Sequence, residues 1–500
     1  MHVPLQFLRN LICLQSVQVC RPTFPLRIAI EAPSLPVPET QHLIRTVQHA
    51  LDDVNDFSAH HLRLVVPKSP QNGHESGDTV VDGNTLSKKD DIVLTIRLHA
   101  GENGQGPSSR LHPYAPILDV FYAPNHIPSS SSTMSPLASY IANELQSTYS
   151  EEQAALAYLL GSTRWSSHSG KALSQEQQDR LAKRKTRSFK YSSTYHLTFS
   201  LFTPTHVPSD WDIEGAIGDF LSPLLASLSS ISNFSVDTQV QLYATMSTSI
   251  QGPQHNTEKK IWQLRQADLS GFINAAEWPL SPSIGEGPTI NFITYVPAQD
   301  QQPLVIEDGA GSSWLVPQWG GVQILNLSKG PQNSVPSSLT KEHLQPAMQT
   351  FSNQLLALLG LPDLPSSLPL RISTLTRIHV ASLIFSASST LGALARLTQT
   401  LPSIAIPDSV AHSVQSTISH LHQACNDLRE GRFHAALEAA RVAEREAEKA
   451  FFERSMVGQV YFPDEHKVAV YLPLLGPVTV PLVMAVVKEL KALRKKTTDG

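Results

Sequence analysis

Few residues in this 500-residue chain are of a type and spacing that could do chemistry. His420, His422 and Cys425 form HLHQAC, three side chains of metal-ligating type. Residues i and i+2 on a helix point to different faces, so the two imidazoles do not share an ion. They read as two exposed histidines beside a buried structural cysteine. Gly101, Gly104 and Gly106 follow a candidate strand, but Pro107, Ser108 and Ser109 come next in place of the helix opening that a dinucleotide site needs. That stretch reads as a loop. Glu151 and Glu152 are adjacent carboxylates within a helical pattern and read as solvated. There is no GxSxG elbow, P-loop, HExxH or CxxC. The expectation is no catalytic residue, no cofactor-binding residue and no metal ligand. Two sequons, Asn233-Phe234-Ser235 and Asn326-Leu327-Ser328, are glycan acceptors if their loops face a lumen.

The elements that would carry these residues fall into two regions. From about 25 to 330, short runs rich in β-branched and aromatic residues alternate with helical patterns. Candidate strands are 25–32, 61–67, 91–100, 116–124, 194–203, 238–246, 290–298 and 321–328. Between them, 38–56 places Leu43, Ile44, Val47 and Leu51 at helical spacing, and 137–161 and 211–231 are helical too. Interleaving of this kind predicts α/β layering. Segments 67–91 and 127–136 read as solvated loops. So does 175–192, whose Arg180, Lys183, Arg184, Lys185, Arg187 and Lys190 make a basic cluster. Such a cluster can meet phosphate or anionic lipid, at about 1 kcal/mol per charge. A solvated helix-to-strand connection is the plainer reading.

From about 340 to 456 the strands vanish and 341–362, 375–402, 409–431 and 432–456 are helical in period. In the last, Phe433, Leu437, Ala440, Ala447 and Phe451 form an apolar stripe, with Glu438/Arg441 and Arg445/Glu448 as charged pairs three apart. Gly431 separates the last two helices into an antiparallel hairpin. One tetratricopeptide-like helix is present without the repeats a solenoid needs.

The segment Val468 to Val487 is uncharged and followed by KELKALRKK. Twenty residues is what a helix needs to cross roughly 30 Å of hydrocarbon. Pro473, Pro477, Pro481 and Gly476 are tolerable in a span, whereas a proline-broken strand pair or buried loop is the alternative. Lys488, Lys491, Arg494, Lys495 and Lys496 behind it make the tail cytosolic and put the bulk of the chain on the lumenal or extracellular side. That orientation needs an upstream signal, and MHVPLQFLRNLICLQSVQVCRP is too short and polar for a confident one. Either it is a degenerate signal or the true N-terminus is missing, and the second is expected. Net charge of −5 argues against a nucleic-acid binder, and 41% hydrophobic residues suffice for two or more domains. Cys13, Cys20 and Cys425 are too few to settle the compartment, and a partner for Cys425 within the chain is not assured.

Several stretches carry a family resemblance: PSIAIPDSV (402–410), AEKAFFERSMVGQVYFPDEHKVAVYLPLLGP (447–477), FPLRIAIEAPSLPVP (24–38), KYSSTYHLTFSLFTP (190–204), SNFSVDTQVQLYA (232–244) and FINAAEWPLSPS (272–283). From residue 20 onward the chain resembles the PIG-S family, the 24–38, 190–204, 232–244 and 272–283 stretches being similar to its fungal branch. The resemblance implies an endoplasmic reticulum membrane protein, with a large lumenal α/β domain between two spans. It also implies a non-catalytic subunit of the GPI transamidase, which attaches GPI anchors to proproteins through a separate legumain-like cysteine protease subunit. The other transamidase subunits are then its partners, while the resemblance leaves open whether GPI lipid and proprotein are touched directly or indirectly. The expected plan is 1–20 a degenerate or truncated N-terminal segment, 21–335 a lumenal α/β domain and 336–456 a helical region packed on it. After it come a connector at 457–467, a transmembrane helix at 468–487 and a cytosolic basic tail at 488–500. The rival readings are a stand-alone lumenal hydrolase and a cytosol-facing helical adaptor. Glycan occupancy and activity of the purified chain separate them.

Overall fold

The computed structural model describes residues 22–55, 57–66, 92–101, 106–128, 132, 135–161, 174–244, 252–269, 287–307, 311–327, 336–400, 406–456 and 464–498. Residues 1–20, Gly104, most of the serine run, the whole 67–91 loop, the 272–283 stretch and residues 457–463 of the expected connector lie outside them. In chain order the first half holds β1 (Phe24–Glu31), α1 (Val37–Val54), β2 (His60–Val65), β3 (Ile92–Ala100), β4 (Ser108–Leu111), β5 (Ile117–Tyr122), α2 (Pro136–Thr148), α3 (Ser150–Gly161) and α4 (Gln175–Arg187). Then come β6 (Thr194–Phe202), β7 (Asp210–Trp211), α5 (Ile213–Ala216), α6 (Ser222–Leu228), β8 (Asn233–Gln241), β9 (Gln254–Asn256), β10 (Ile261–Leu264), β11 (Thr289–Tyr295), β12 (Leu304–Ile306), β13 (Ser313–Val316), β14 (Gly320–Ile324) and β15 (Ser338–Leu339). Helices follow: α7 (Lys341–Leu358), α8 (Leu368–Thr400), α9 (Asp408–Arg429), α10 (Phe433–Phe451) and α11 (Asp464–Thr498).

Two five-stranded sheets dominate, ordered β2-β1-β3-β5-β4 and β13-β14-β11-β6-β8. In each, every pair is parallel except that made by one edge strand, β4 or β13. Central parallel strands are covered on both faces, which is why they read as continuous apolar runs. In β6, TYHLTFSLF, every residue after Thr194 is buried. The alternation still decides the layers. Tyr195, Leu197, Phe199 and Leu201 join Ile290, Phe292 and the α7 residues Leu344, Met348 and Phe351 in one core. Phe202, Ile293, Tyr295, Val322 and Ile324 face the other way, against Leu264, Leu304 and Ile306 of the small sheet β12-β10-β9. In α1, Leu43, Val47 and Leu51 are the buried stripe, as their spacing predicts.

The chain forms two compact units: Thr23–Ala381 with Leu428–His434, and Ser382–Asp427 with the residues from Ala435 on. The α/β unit therefore takes in α7 and the start of α8. In the second unit, Ser413 of α9 donates to Glu446 of α10, and Ser386 of α8 to Glu444. A bond from the start of α9 to the end of α10 fits an antiparallel hairpin. Gly431 makes the turn between them at φ +81°, the left-handed region that ends helices. Helix α8 has the length and apolarity of a membrane span, with a mean hydropathy of 1.5, yet 44% of that window is buried in protein as in a core helix. Helix α11 contains the expected 468–487 segment and runs on through the basic tail, with Leu472, Val478, Leu482 and Met484 exposed.

Three expectations change. The 175–192 loop is in fact a helix, α4, held by a capping box in which Ser174 accepts from Gln177 and Gln177 accepts in return. The single helix expected at 137–161 breaks at Tyr149 into α2 and α3. The strand expected at 238–246 is β8, Asn233–Gln241, because pairing with β6 runs from Thr194↔Asn233 to Phe202↔Gln241.

Candidate functional site

The most distinctive polar constellation is buried, and it overturns one expectation. Glu152 is not solvated: it is 1% exposed, on the inner face of α3. Its Oε1 and Oε2 accept from Arg377 Nε at 2.5 Å and Nη2 at 2.6 Å, a two-pronged charged pair. Thr374 Oγ1 donates to Oε2 at 2.7 Å, and His60 Nε2 lies 3.3 Å from Oε1. Arg377, itself fully buried, gives another bond to Ser373 Oγ and lies 5.1 Å from the centre of the Phe433 ring. Burial alone raises the carboxyl's pKa, but the charge and hydrogen bonds of Arg377 outweigh it and hold Glu152 at about 2. The ion pair thus ties α3 and α8 to β2 in the α/β unit. Glu151, its neighbour, faces outward and pairs with Arg184 of α4 at 2.7 Å.

A cleft of about 410 Å³ opens beside this pair, lined by Tyr114, Ser227, Ser230, Ile372, Ser373 and His434 among others. Among the described residues, hydroxyls, one imidazole and apolar groups line it.

Two other clusters contain groups of catalytic type. Ser235 Oγ and His196 Nδ1 share a hydrogen bond across β8 and β6. The other ring nitrogen of His196 is buried and has no hydrogen-bond partner among the described residues, so none of their carboxylates orients the imidazole as in a hydrolase triad. On the first sheet, Asp119 meets His99 at 3.1 Å and His112 at 2.8 Å through its two oxygens. Burial works against the Asp119 carboxylate, but these two bonds pull its pKa below the usual range. Sequence reading missed both clusters, since cross-strand register joins residues 39 and 20 positions apart.

The residues singled out from sequence sit as follows. His420 Nδ1 bonds to the Ser416 carbonyl of its own helix at 2.8 Å, and His422 is exposed. Cys425 is buried and disulfide-bonded, its partner lying outside the described residues. No group of three metal-ligating side chains occurs among the described residues. Asn233 is exposed at the start of edge strand β8. Asn326 is half-buried, and its side-chain amide both accepts from Leu304 N and donates to Leu304 O at 2.8 Å, extending the β12 ladder. Ser328 lies outside the described residues.

Comparison with known proteins decides the family. The chain matches the family described as Phosphatidylinositol-glycan biosynthesis class S protein over residues 4–496. The chain belongs to the PIG-S family. Among its relatives, the Bos taurus protein "GPI-anchor transamidase component PIGS" is 31% identical over 340 residues, 64% of this chain and 61% of that protein. The Schizosaccharomyces pombe "GPI transamidase component PIG-S homolog" is 30% identical over 321 residues, 62% of this chain and 56% of that protein. "GPI transamidase component GPI17" of Saccharomyces cerevisiae is 28% identical over 331 residues, covering 62% and 60%. The matched part thus spans about three fifths of the length of these PIG-S relatives.

Proposed function

We propose that this chain is a non-catalytic subunit of the endoplasmic reticulum GPI transamidase, supporting attachment of GPI anchors to proproteins. The observation that carries the reading is the family match across residues 4–496, joined to relatives that are named transamidase components. Within the α/β unit the best-formed polar cluster, Glu152–Arg377, is sealed in the core, where it ties α3 to α8. The nucleophile is supplied by another subunit, the legumain-like cysteine protease.

In this proposal α11 crosses the membrane through 468–487, with the basic tail in the cytosol and the bulk of the chain in the lumen. The disulfide at Cys425 supports an oxidising compartment, and exposed Asn233 is available to a glycan there. The α/β unit and the helical unit then present surfaces to partner subunits.

The test is to tag the full chain in its own host, purify it in mild detergent and identify its companions. The protease subunit should co-purify, and depletion of the chain should leave proproteins with uncleaved C-terminal signals. A chain that purifies alone, with GPI attachment intact after depletion, would overturn the proposal.

A further inference from the structure

Helix α11 is continuous from Asp464 to Thr498 although Pro473, Pro477 and Pro481 lie inside it. Each proline lacks an N–H, so the carbonyl four residues earlier loses its helical donor. The carbonyls affected are those of Ala469, Pro473 and Pro477. Four residues advance a helix by one turn and roughly 40°, so the three carbonyls and the three rings lie on one face, a band about a third of the circumference wide that winds slowly along the axis. Met484 lies on the same stripe, and Gly476 stands beside it with open space where a Cβ would be. The opposite face carries Leu475, Leu482 and Val486, all exposed and apolar. Its one polar side chain is Thr479, whose hydroxyl is already committed to the Leu475 carbonyl at 2.8 Å. Thr479 therefore cannot serve the stripe.

The helix has one face with its polar groups satisfied and another with three carbonyls short of a donor. Hydrocarbon offers no donor, so lipid suits the first face and not the second. We propose that the Pro473–Pro477–Pro481 face docks against one membrane helix of another transamidase subunit. That helix supplies Ser, Thr, Asn or Gln side chains as donors to the Ala469, Pro473 and Pro477 carbonyls. This rests on the reading that α11 crosses the membrane. Ordinary side-chain packing between membrane helices needs no unpaired carbonyl, and here the acceptors choose both the face and the chemistry of its partner.

The test uses the full chain in its native membrane, with a photo-reactive phenylalanine analogue at Met484 or at Val486. Met484 should yield an adduct with another transamidase subunit and Val486 adducts with lipid. The triple variant Pro473→Ala, Pro477→Ala, Pro481→Ala gives each carbonyl its helical donor back, which strengthens the helix. It should stay in the membrane after alkaline carbonate extraction yet lose the Met484 adduct by about twentyfold, the value of three ordinary interhelical hydrogen bonds. An undiminished adduct in that variant, or protein adducts from Val486 and lipid from Met484, overturns the docking face while α11 still spans. Release of the wild-type chain by carbonate overturns the spanning reading, and the face with it.

Discussion

At the scale of single residues, the α/β unit buries a charge pair, Glu152–Arg377, that its surroundings keep dry. Removing one member of a buried pair strands the other, at about 3–5 kcal/mol. Arg377→Met should therefore cost stability on that order in chemical unfolding of the α/β unit, and Glu152→Gln somewhat less. Replacing both with apolar residues should recover much of the loss. The pH dependence has a fixed sign. Glu152 is held at about 2 against an ordinary 4.5, so its contribution is whole above pH 4.5 and is lost as the pH falls toward 2. Melting temperature should decline over that window in the wild type and less so in Glu152→Gln. Cys425→Ser removes a disulfide, typically worth about 2–4 kcal/mol. The variant should melt lower and become insensitive to reductant, while GPI attachment stays near normal wherever the protein still accumulates. None of this pair was legible in the sequence. Adjacent glutamates in a helix read as solvated, and Arg377 stands 225 positions from Glu152.

At the scale of elements, α7 lies so close to β14 that a methyl group matters. A Cβ on Gly321 would sit 1.8 Å from Gln354 Oε1, while Gln354 Nε2 donates to the Trp314 carbonyl at 2.9 Å. Gly321→Ala should destabilise by about 1–3 kcal/mol, the ordinary cost of overpacking. Gln354→Ala should recover part of that when combined with it, and a double-mutant cycle would measure the coupling. Simple additivity would show that the helix shifts freely. Long periodic elements such as α1, α7, α9 and α10 were legible because one buried stripe repeats over several turns. The short strands β4, β9, β10, β12 and β13 were not, since three or four residues carry no period. For β8 the apolar centre of the segment lies later than the strand, whose limits are set by pairing with β6. The basic cluster became a helix because its Ser174–Gln177 capping box went unread, while its charges proved partly structural through Arg184 and Glu151.

At the scale of the whole molecule, the family resemblance reached further than the search for chemistry. Blocks such as 447–477 marked PIG-S from sequence, and the match over 4–496 agrees. Which surfaces carry the function was not legible, because binding surfaces have no fixed residue spacing. The proposed orientation makes one simple prediction. Asn233 is exposed, so endoglycosidase should shift the mobility of the membrane-inserted chain, and Asn233→Gln should reduce that shift. The proposal that this chain assists the transamidase without performing its chemistry is tested most directly by reconstitution. The full transamidase, purified with and without this chain, is assayed for transfer of a GPI anchor to a proprotein, alongside the chain alone. The account predicts no turnover by the chain alone and loss of transfer when it is omitted, restored on adding it back. Transfer at full rate without it, or cleavage of the proprotein by the chain alone, would contradict the account.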